Sequence, residues 1–270
     1  MLIIDGDVAI YHSCKPRYLD SLEDGTYYTE LDSDGHKIFP TYSEEENEIY
    51  LEECWQNLKK KLNFLFDKFY TDNYLMAVAG SHNYRNYMYE AYKANRHKKP
   101  NPVRGYVKAI RERAIKEELA IESACAEADD LMRTWSEECR FNNIDYVICT
   151  IDKDLKCIPG KYYNMGKDTL EIISKQDAMR YFYEQLLKGD SVDNIPGLFR
   201  VGDIKARKWL EPYSTEEEFQ EVIVSKYIEY YGDDWYDQLL SNGKLLYLQK
   251  HELDFFNLRH WPLVQELRAL

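Results

Sequence analysis

An α/β fold is what the sequence predicts: a mostly parallel, doubly wound sheet with helices on both faces. Three observations carry this. The short apolar runs Leu2–Ile4, Tyr74–Ala79 and Asp145–Thr150 read as strands buried on both faces. Stretches with helical spacing separate them, the alternation that gives parallel strands joined by crossover helices. Two of the runs end on acids, at Asp5 and just before Asp152. Ligands of open parallel sheets sit outside the carboxyl ends of the strands. Asp5, Asp7, Asp152 and Asp154 are therefore expected to gather at one sheet edge.

The elements follow in order. After the first strand, residues 26–42 set Asp34-Gly35 between β-prone flanks, which predicts a hairpin. Residues 44–69 place Leu51, Trp55, Leu58, Leu62, Leu65, Phe66 and Phe69 at helical spacing, so a long helix follows. The second strand closes at Gly80. Pro100 and Pro102 break the next segment, and a helix resumes over about 103–119. Glu127 to Arg140 is helical, with acids at the end where the helix dipole favours them. The third strand comes next, and residues 183–188 read as helix up to Gly189. No repeat, low-complexity tract or Gly/Ser linker interrupts the pattern.

Composition sets limits on function. The 270 residues can form one large core, over 1–185, and a smaller C-terminal region, over 186–270. A mean hydropathy of −0.62 and the lack of a long apolar run exclude a membrane span. Asp5 and Asp7 break the first apolar stretch too early for a signal peptide. The six cysteines have neither CxxC nor metal-finger spacing, so reduced thiols and a cytoplasmic location are expected.

The net charge of −13 is unevenly spread. Residues 20–53 hold 12 acids and one Lys, and residues 211–237 carry about −8. Residues 85–116 hold ten Lys or Arg against two acids, with Tyr87, Tyr89, Tyr92 and Tyr106 interleaved. That block predicts a polyanion partner, or else a helix face paired with the acidic blocks.

Four acidic groups stand out by position: Asp5, Glu127 to Asp130, Asp152 with Asp154, and Asp190 with Asp193. Each alone has a plain explanation in helix starts or turns. Together at one sheet edge they would repel one another unless cations neutralised them. Oxygen donors without paired His or Cys favour Mg²⁺ or Mn²⁺ over Zn²⁺. Two such ions about 4 Å apart suit in-line attack of water on a phosphodiester.

The strings IIDGD (3–7), YKANR (92–96), EADD (127–130), TIDKD (150–154), GDSVDNIPG (189–197) and VGDIKAR (201–207) stand in the order found in the 5′-nuclease superfamily. The chain resembles bacteriophage 5′→3′ exonucleases, and more distantly flap endonucleases and the 5′-nuclease domain of bacterial DNA polymerase I. The resemblance spans roughly residues 1–210, leaving 15–53 and 211–270 outside it.

The resemblance implies a PIN-like sheet, a helical arch at about 84–118 and a helix–hairpin–helix region in the C-terminal part. It implies a metal-dependent 5′→3′ exonuclease or flap endonuclease acting on DNA with a 5′ end or flap, with RNA in hybrids a further substrate, in replication, primer removal or DNA degradation. By the same resemblance Asp5, Glu127 and Asp129 hold the first of two Mg²⁺ ions, for which Mn²⁺ can substitute. Asp130, Asp152, Asp154, Asp190 and Asp193 hold the second or its water shell. Lys93 and Arg96 lie at the base of the arch against the scissile phosphate, where they stabilise developing charge. Tyr92, Lys98, Lys99 and Arg104 line the arch around single-stranded 5′ ends, the tyrosine as a stacking platform or as packing. Gly197, Gly202, Lys205 and Arg207 hold the duplex backbone, with K⁺ as a bridge to phosphate. A monomer is expected, with the acidic segments open to a replication protein.

One departure stands out. Where the family usually has an Asp after the second strand, this chain has Gly80. Water or Asp7, ahead of His82, is expected to complete the first metal site. The same departure motivates a rival reading, a DNA-binding protein weakened in catalysis. A second rival is a haloacid-dehalogenase-type phosphatase, whose nucleophile strand IIDGDV resembles. Helix over 183–188, and the absence of any role there for YKANR and EADD, weigh against it.

Overall fold

A computed structural model describes residues 1–14, 30–31, 37–38, 43–95 and 103–269. The strand β1 (Leu2–Asp5) runs into α1 (Gly6–Ser13). The short strands β2 (Glu30–Leu31) and β3 (Lys37–Ile38) pair antiparallel, as a hairpin requires, and its Asp34-Gly35 turn lies outside the described residues. Next come α2 (Glu44–Phe69) and β4 (Tyr74–Val78). Ser43 and Glu46 close a reciprocal capping box on α2, and Tyr70 ends it in the left-handed conformation. The helices α3 (Tyr84–Met88) and α4 (Arg104–Lys116) lie within the segment where an arch is expected, ahead of β5 (Ile121–Glu122).

Next are α5 (Ala128–Phe141), β6 (Val147–Thr150) and a 3-10 turn over Lys153–Cys157. The antiparallel pair β7 (Gly160–Asn164) and β8 (Thr169–Ile173) leads to α6 (Lys175–Lys188). The helical end of α6 removes the strand that the phosphatase reading needs before Gly189. A two-residue pair, β9 (Gly189–Asp190) with β10 (Ile195–Pro196), joins α6 to α7 (Asp203–Leu210) as helix, hairpin and helix. The chain continues through α8 (Glu216–Tyr231), α9 (Trp235–Leu246) and α10 (Pro262–Ala269).

The sheet order is β5-β4-β1-β6-β7-β8, parallel except for β7 against β8. The chain leaves β1 for β4 on one side and returns to β6 on the other. That reversal is the switch point, and it sets Asp5 beside the residues that follow β6.

Alternate residues of the strands face opposite layers. Leu2, Ile4, Met76, Val78 and Cys149 pack with Trp55, Leu58 and Leu62 of α2 and Ile110 of α4. Ile3, Ala77 and Ile148 pack with Met132, Trp135 and Cys139 of α5. A separate cluster joins α6 to the C-terminal helices through Leu186, Leu198, Phe219, Ile223, Leu239 and Trp261. Among the described residues no helix is long and apolar enough to cross a membrane.

Candidate active site

Asp5 ends β1 and caps α1, accepting a hydrogen bond from the Val8 N–H at 3.0 Å. Its other oxygen accepts from the Thr150 hydroxyl at 2.7 Å, which ties the ends of β1 and β6 together. Burial, with Asp7 and Asp152 adding to it, pushes the Asp5 carboxyl up to about 6 despite those bonds. Asp152 caps the 3-10 turn through the Asp154 N–H at 2.8 Å. Asp154 accepts from Tyr181 and Gln185 of α6, both at 3.0 Å. Burial, then Asp152 and Asp190, push it too up to about 6.

Asp129, in the first turn of α5, receives no hydrogen bond among the described residues. Burial and then the charges of Asp5, Glu127 and Asp152 drive its carboxyl well above the usual range. Glu127 caps the same helix. Burial works to raise it, but the Lys93 ammonium and the Arg85 guanidinium outweigh that and hold it low. Asn83 donates to Glu127 at 2.9 Å and Tyr92 at 3.1 Å. Asp190 folds over its own turn, accepting from the Val192 N–H at 2.7 Å.

Lys93 is placed by backbone as much as by charge. Its φ of 57° is uncommon for a side chain with Cβ, and its N–H donates to the Asp193 carbonyl at 2.9 Å. Asn194 donates to the Ala91 carbonyl at 2.7 Å, and Asn95 donates to the Asn194 side chain at 2.9 Å. The YKAN and DSVDN segments thus brace each other. The Lys93 ammonium pairs with Glu127 and lies 3.6 Å from Asp193.

Asp130 sits elsewhere. Arg85, 1% exposed, grips it bidentately at 2.5 and 2.9 Å. The backbone N–H groups of Glu127 and Gln249 each add a bond at 3.0 Å. All its near acceptor positions are taken within the fold, so this carboxylate stands apart from the set expected to hold metal. Asp7 is likewise engaged, by the Ala79 N–H at 2.9 Å and Arg111 of α4 at 2.5 Å. It fastens α4 to the end of β4, a physical reason against its completing a metal site. His82 is exposed, beside Tyr87.

The expected nucleic-acid residues divide. Arg96, Lys98 and Lys99 lie outside the described residues. Arg104 is exposed on α4 and, with Lys116, makes no ion pair among the described residues, whereas Arg111 and Arg113 pair with Asp7 and Glu52. The basic block is therefore partly a helix face neutralised by neighbouring acids, of which Glu52 belongs to the acidic segment. Tyr92, expected as a stacking platform, is buried at 5% exposure with its hydroxyl on Glu127 and Asp193. Tyr106 packs edge-on against Tyr50, and Tyr87 stays 79% exposed.

In the hairpin, a Cβ on Gly197 would meet the Lys188 and Gly189 backbone at 2.1–2.4 Å, so that glycine serves the turn itself. Gly202 instead caps α7 with open space around it and no side-chain cap. Lys205 lies over Trp209 and donates to the Tyr230 hydroxyl at 2.7 Å. Arg207 is exposed and reaches Glu184 at 3.5 Å.

Among the described residues no three acidic, His or Cys side chains already stand arranged to hold an ion. The donor chemistry nonetheless fits a hard cation: all oxygen, with three carboxyls raised by burial and mutual charge. Sequence reasoning missed Thr150, Tyr181 and Gln185, the groups that hold Asp5 and Asp154, and Arg85. The spacing of Tyr181 and Gln185 on one helix face was the available signal.

This mostly parallel sheet, covered by helices and with acids at its switch point, defines an α/β class of resolvase-like architecture. Residues 49–184 match the family described as 5′-3′ exonuclease, N-terminal resolvase-like domain, and the chain belongs to that family. DNA polymerase I of Rhizobium leguminosarum is 33% identical over 140 residues, 48% of this chain and 14% of that protein. DNA polymerase I of Caldicellulosiruptor bescii is 30% identical over 146 residues, 48% of this chain and 17% of that one. The chain thus matches only about one sixth of the length of these relatives. A bacteriophage T5 flap endonuclease solved with DNA and metal ions shares the fold, with a TM-score of 0.61 over 92% of this chain and 88% of that one, at 12% identity. T5 5′-exonuclease with bound zinc aligns at a TM-score of 0.57 over 91% and 88%, at 13% identity.

Proposed function

We propose that this chain is a divalent-cation-dependent nuclease that hydrolyses DNA phosphodiesters at or near a 5′ end, leaving a 5′-phosphate and a 3′-hydroxyl. The observation that carries this reading is the carboxylate cluster at the switch point, faced by Lys93 from the YKAN segment. Asp5, Glu127 and Asp129 would hold one Mg²⁺ or Mn²⁺, and Asp152, Asp154, Asp190 and Asp193 a second or its waters. Bound there, such ions supply a nucleophilic hydroxide at neutral pH and charge to offset the phosphate oxygens.

The chain's own residues do the rest. Thr150 orients Asp5, and Tyr181 with Gln185 orients Asp154. Lys93 exchanges its carboxylate partners for the scissile phosphate and stabilises the charge that grows on it. Arg104 and the open N-terminus at Gly202 supply contacts to phosphate that are blind to sequence. The metal relatives of known structure and the family membership support the same reading.

The test is a digest of 5′-labelled duplex and flapped DNA in Mg²⁺, with and without excess EDTA. Cleavage lost in EDTA and restored by Mg²⁺ is expected. Cleavage that survives EDTA would overturn the cation-dependent reading.

A further inference from the structure

A cavity of about 320 Å³ lies between α5, α6 and residues 247–250. Its walls are not those of the carboxylate cluster. On α6 the cluster is touched by Tyr181 and Gln185, whereas Met179 and Phe182 line the cavity on a neighbouring face. Arg133, Arg140, Lys175 and Lys250 line it against Glu137 and Glu216, so four positive charges face two negative ones in a chain of net charge −13.

Two of those cations are already held, since Glu137 takes Arg133 at 2.5 Å and Arg140 at 3.0 Å. Glu216 accepts from the Tyr183 hydroxyl at 3.2 Å. Lys175 and Lys250, both exposed, make no ion pair among the described residues. Met179, Phe182 and Tyr247 give the wall an apolar, aromatic part, in which the Phe182 and Tyr247 rings meet edge to face at 5.8 Å.

Ammonium groups without a carboxylate partner beside an aromatic slot, that of Lys250 lying 5.7 Å from the centre of the Tyr247 ring, suit an anion that carries a flat ring. We propose that this cavity binds a nucleoside monophosphate, its base among Met179, Phe182 and Tyr247 and its phosphate at Lys175 and Lys250. The volume stands at the low end of small-ligand sites, roughly 300–1,000 Å³, so one nucleotide fits and an oligonucleotide does not. The choice of a nucleotide among aromatic phosphates rests on the proposed nuclease activity, whose products are such molecules. Binding itself does not depend on turnover.

Equilibrium dialysis of labelled dAMP against the full chain in EDTA tests it. One saturable site is expected, weakened at least tenfold by Lys175→Ala with Lys250→Ala, and lost in Met179→Trp, which fills the slot. Deoxyadenosine should bind at least tenfold more weakly than dAMP, and Lys93→Ala should leave dAMP binding unchanged. The proposal is overturned by no saturable binding at millimolar dAMP, by undiminished binding in the paired lysine variant, or by loss of binding in Lys93→Ala. The lysine pair is exposed, so its result does not hinge on Met179→Trp folding. If the nuclease reading alone fails, DNA stays intact in Mg²⁺ while the dialysis result is unchanged.

Discussion

At the scale of single residues, Lys93 and Gly80 make opposite demands. Lys93 is the cation that faces Glu127 and Asp193, and its ammonium holds Glu127 below its ordinary range. Lys93→Ala should lower the single-turnover cleavage rate by about 10²–10³, the cost typical of losing one donor to a developing oxyanion. DNA affinity should change far less, so a loss confined to affinity would remove Lys93 from the chemistry. Gly80 occupies the place where the family's Asp is expected, which invites Gly80→Asp as a restored ligand. The structure argues otherwise. A Cβ there would lie 2.0 Å from the Ser123 carbonyl oxygen. Ser123 cannot easily yield, because its N–H donates to the Val78 carbonyl at 3.0 Å and its hydroxyl to that of Ala126 at 2.6 Å. The obstacle is close approach, and not a left-handed backbone. Gly80→Ala and Gly80→Asp should each lose about 1–3 kcal/mol in urea unfolding. Native stability in Gly80→Ala would show that this approach constrains nothing.

At the scale of elements, the Arg85–Asp130 pair joins parts of the chain far apart in sequence. Arg85 extends from α3 to Asp130 on α5, and donates to the carbonyls of Leu245 and Tyr247 at 2.8 and 2.7 Å. Asp130→Asn should therefore destabilise the fold by about 3–5 kcal/mol, since it leaves a buried guanidinium short of its counter-ion. Chemical unfolding measures it, and a loss under 1 kcal/mol would mean that the pair does not tie α3 to α5. Asp130 also shows where sequence reading stops. EADD places three acids within four residues, but helix geometry turns neighbours to different faces, and only the fold reveals that Asp130 meets Arg85 while Asp129 meets Asp5 and Asp152. The long helix α2 was legible to its end residues because its apolar residues recur at helical spacing along its whole length. The β7–β8 pair was not, because β8 is exposed along almost its whole length and shows no alternation to read. The site was legible as a set of acids at strand ends, whereas its orienting groups, Thr150, Tyr181 and Gln185, are ordinary residues until folding brings them to a carboxylate.

At the scale of the whole molecule, the cluster sets how stability depends on pH and on cations. Asp5 and Asp154 are acids whose folded pKa of about 6 lies above the ordinary 3.8, chiefly through burial, and Asp129 moves the same way. The unfolded chain therefore releases these protons first as pH rises. Below about pH 4 both states keep them and folding loses nothing; between about 4 and 6 stability falls; above about 6 the penalty is constant. For Asp5 alone the rise from 3.8 to about 6 corresponds to about 3 kcal/mol. Glu127 and exposed carboxylates such as Glu218 are shifted downward and act in the opposite sense, losing stability only at lower pH. In EDTA the melting temperature should accordingly be higher at pH 5.5 than at pH 7.5, by several degrees at about 2–4 °C per kcal/mol. General repulsion in a chain of charge −13 would produce the same trend. The two are separated by Asp5→Asn, which should raise the pH 7.5 melting temperature in EDTA, against the exposed Asp237→Asn, which removes the same charge and should barely move it. Mg²⁺ at pH 7.5 should then stabilise the native chain more than Asp5→Asn, because a cation bound at the cluster relieves the penalty that the substitution has already removed. Equal stabilisation of both chains, or a melting temperature in EDTA that is flat from pH 5.5 to 7.5, would show that these carboxyls carry no uncompensated charge and that the cluster has no need of a cation.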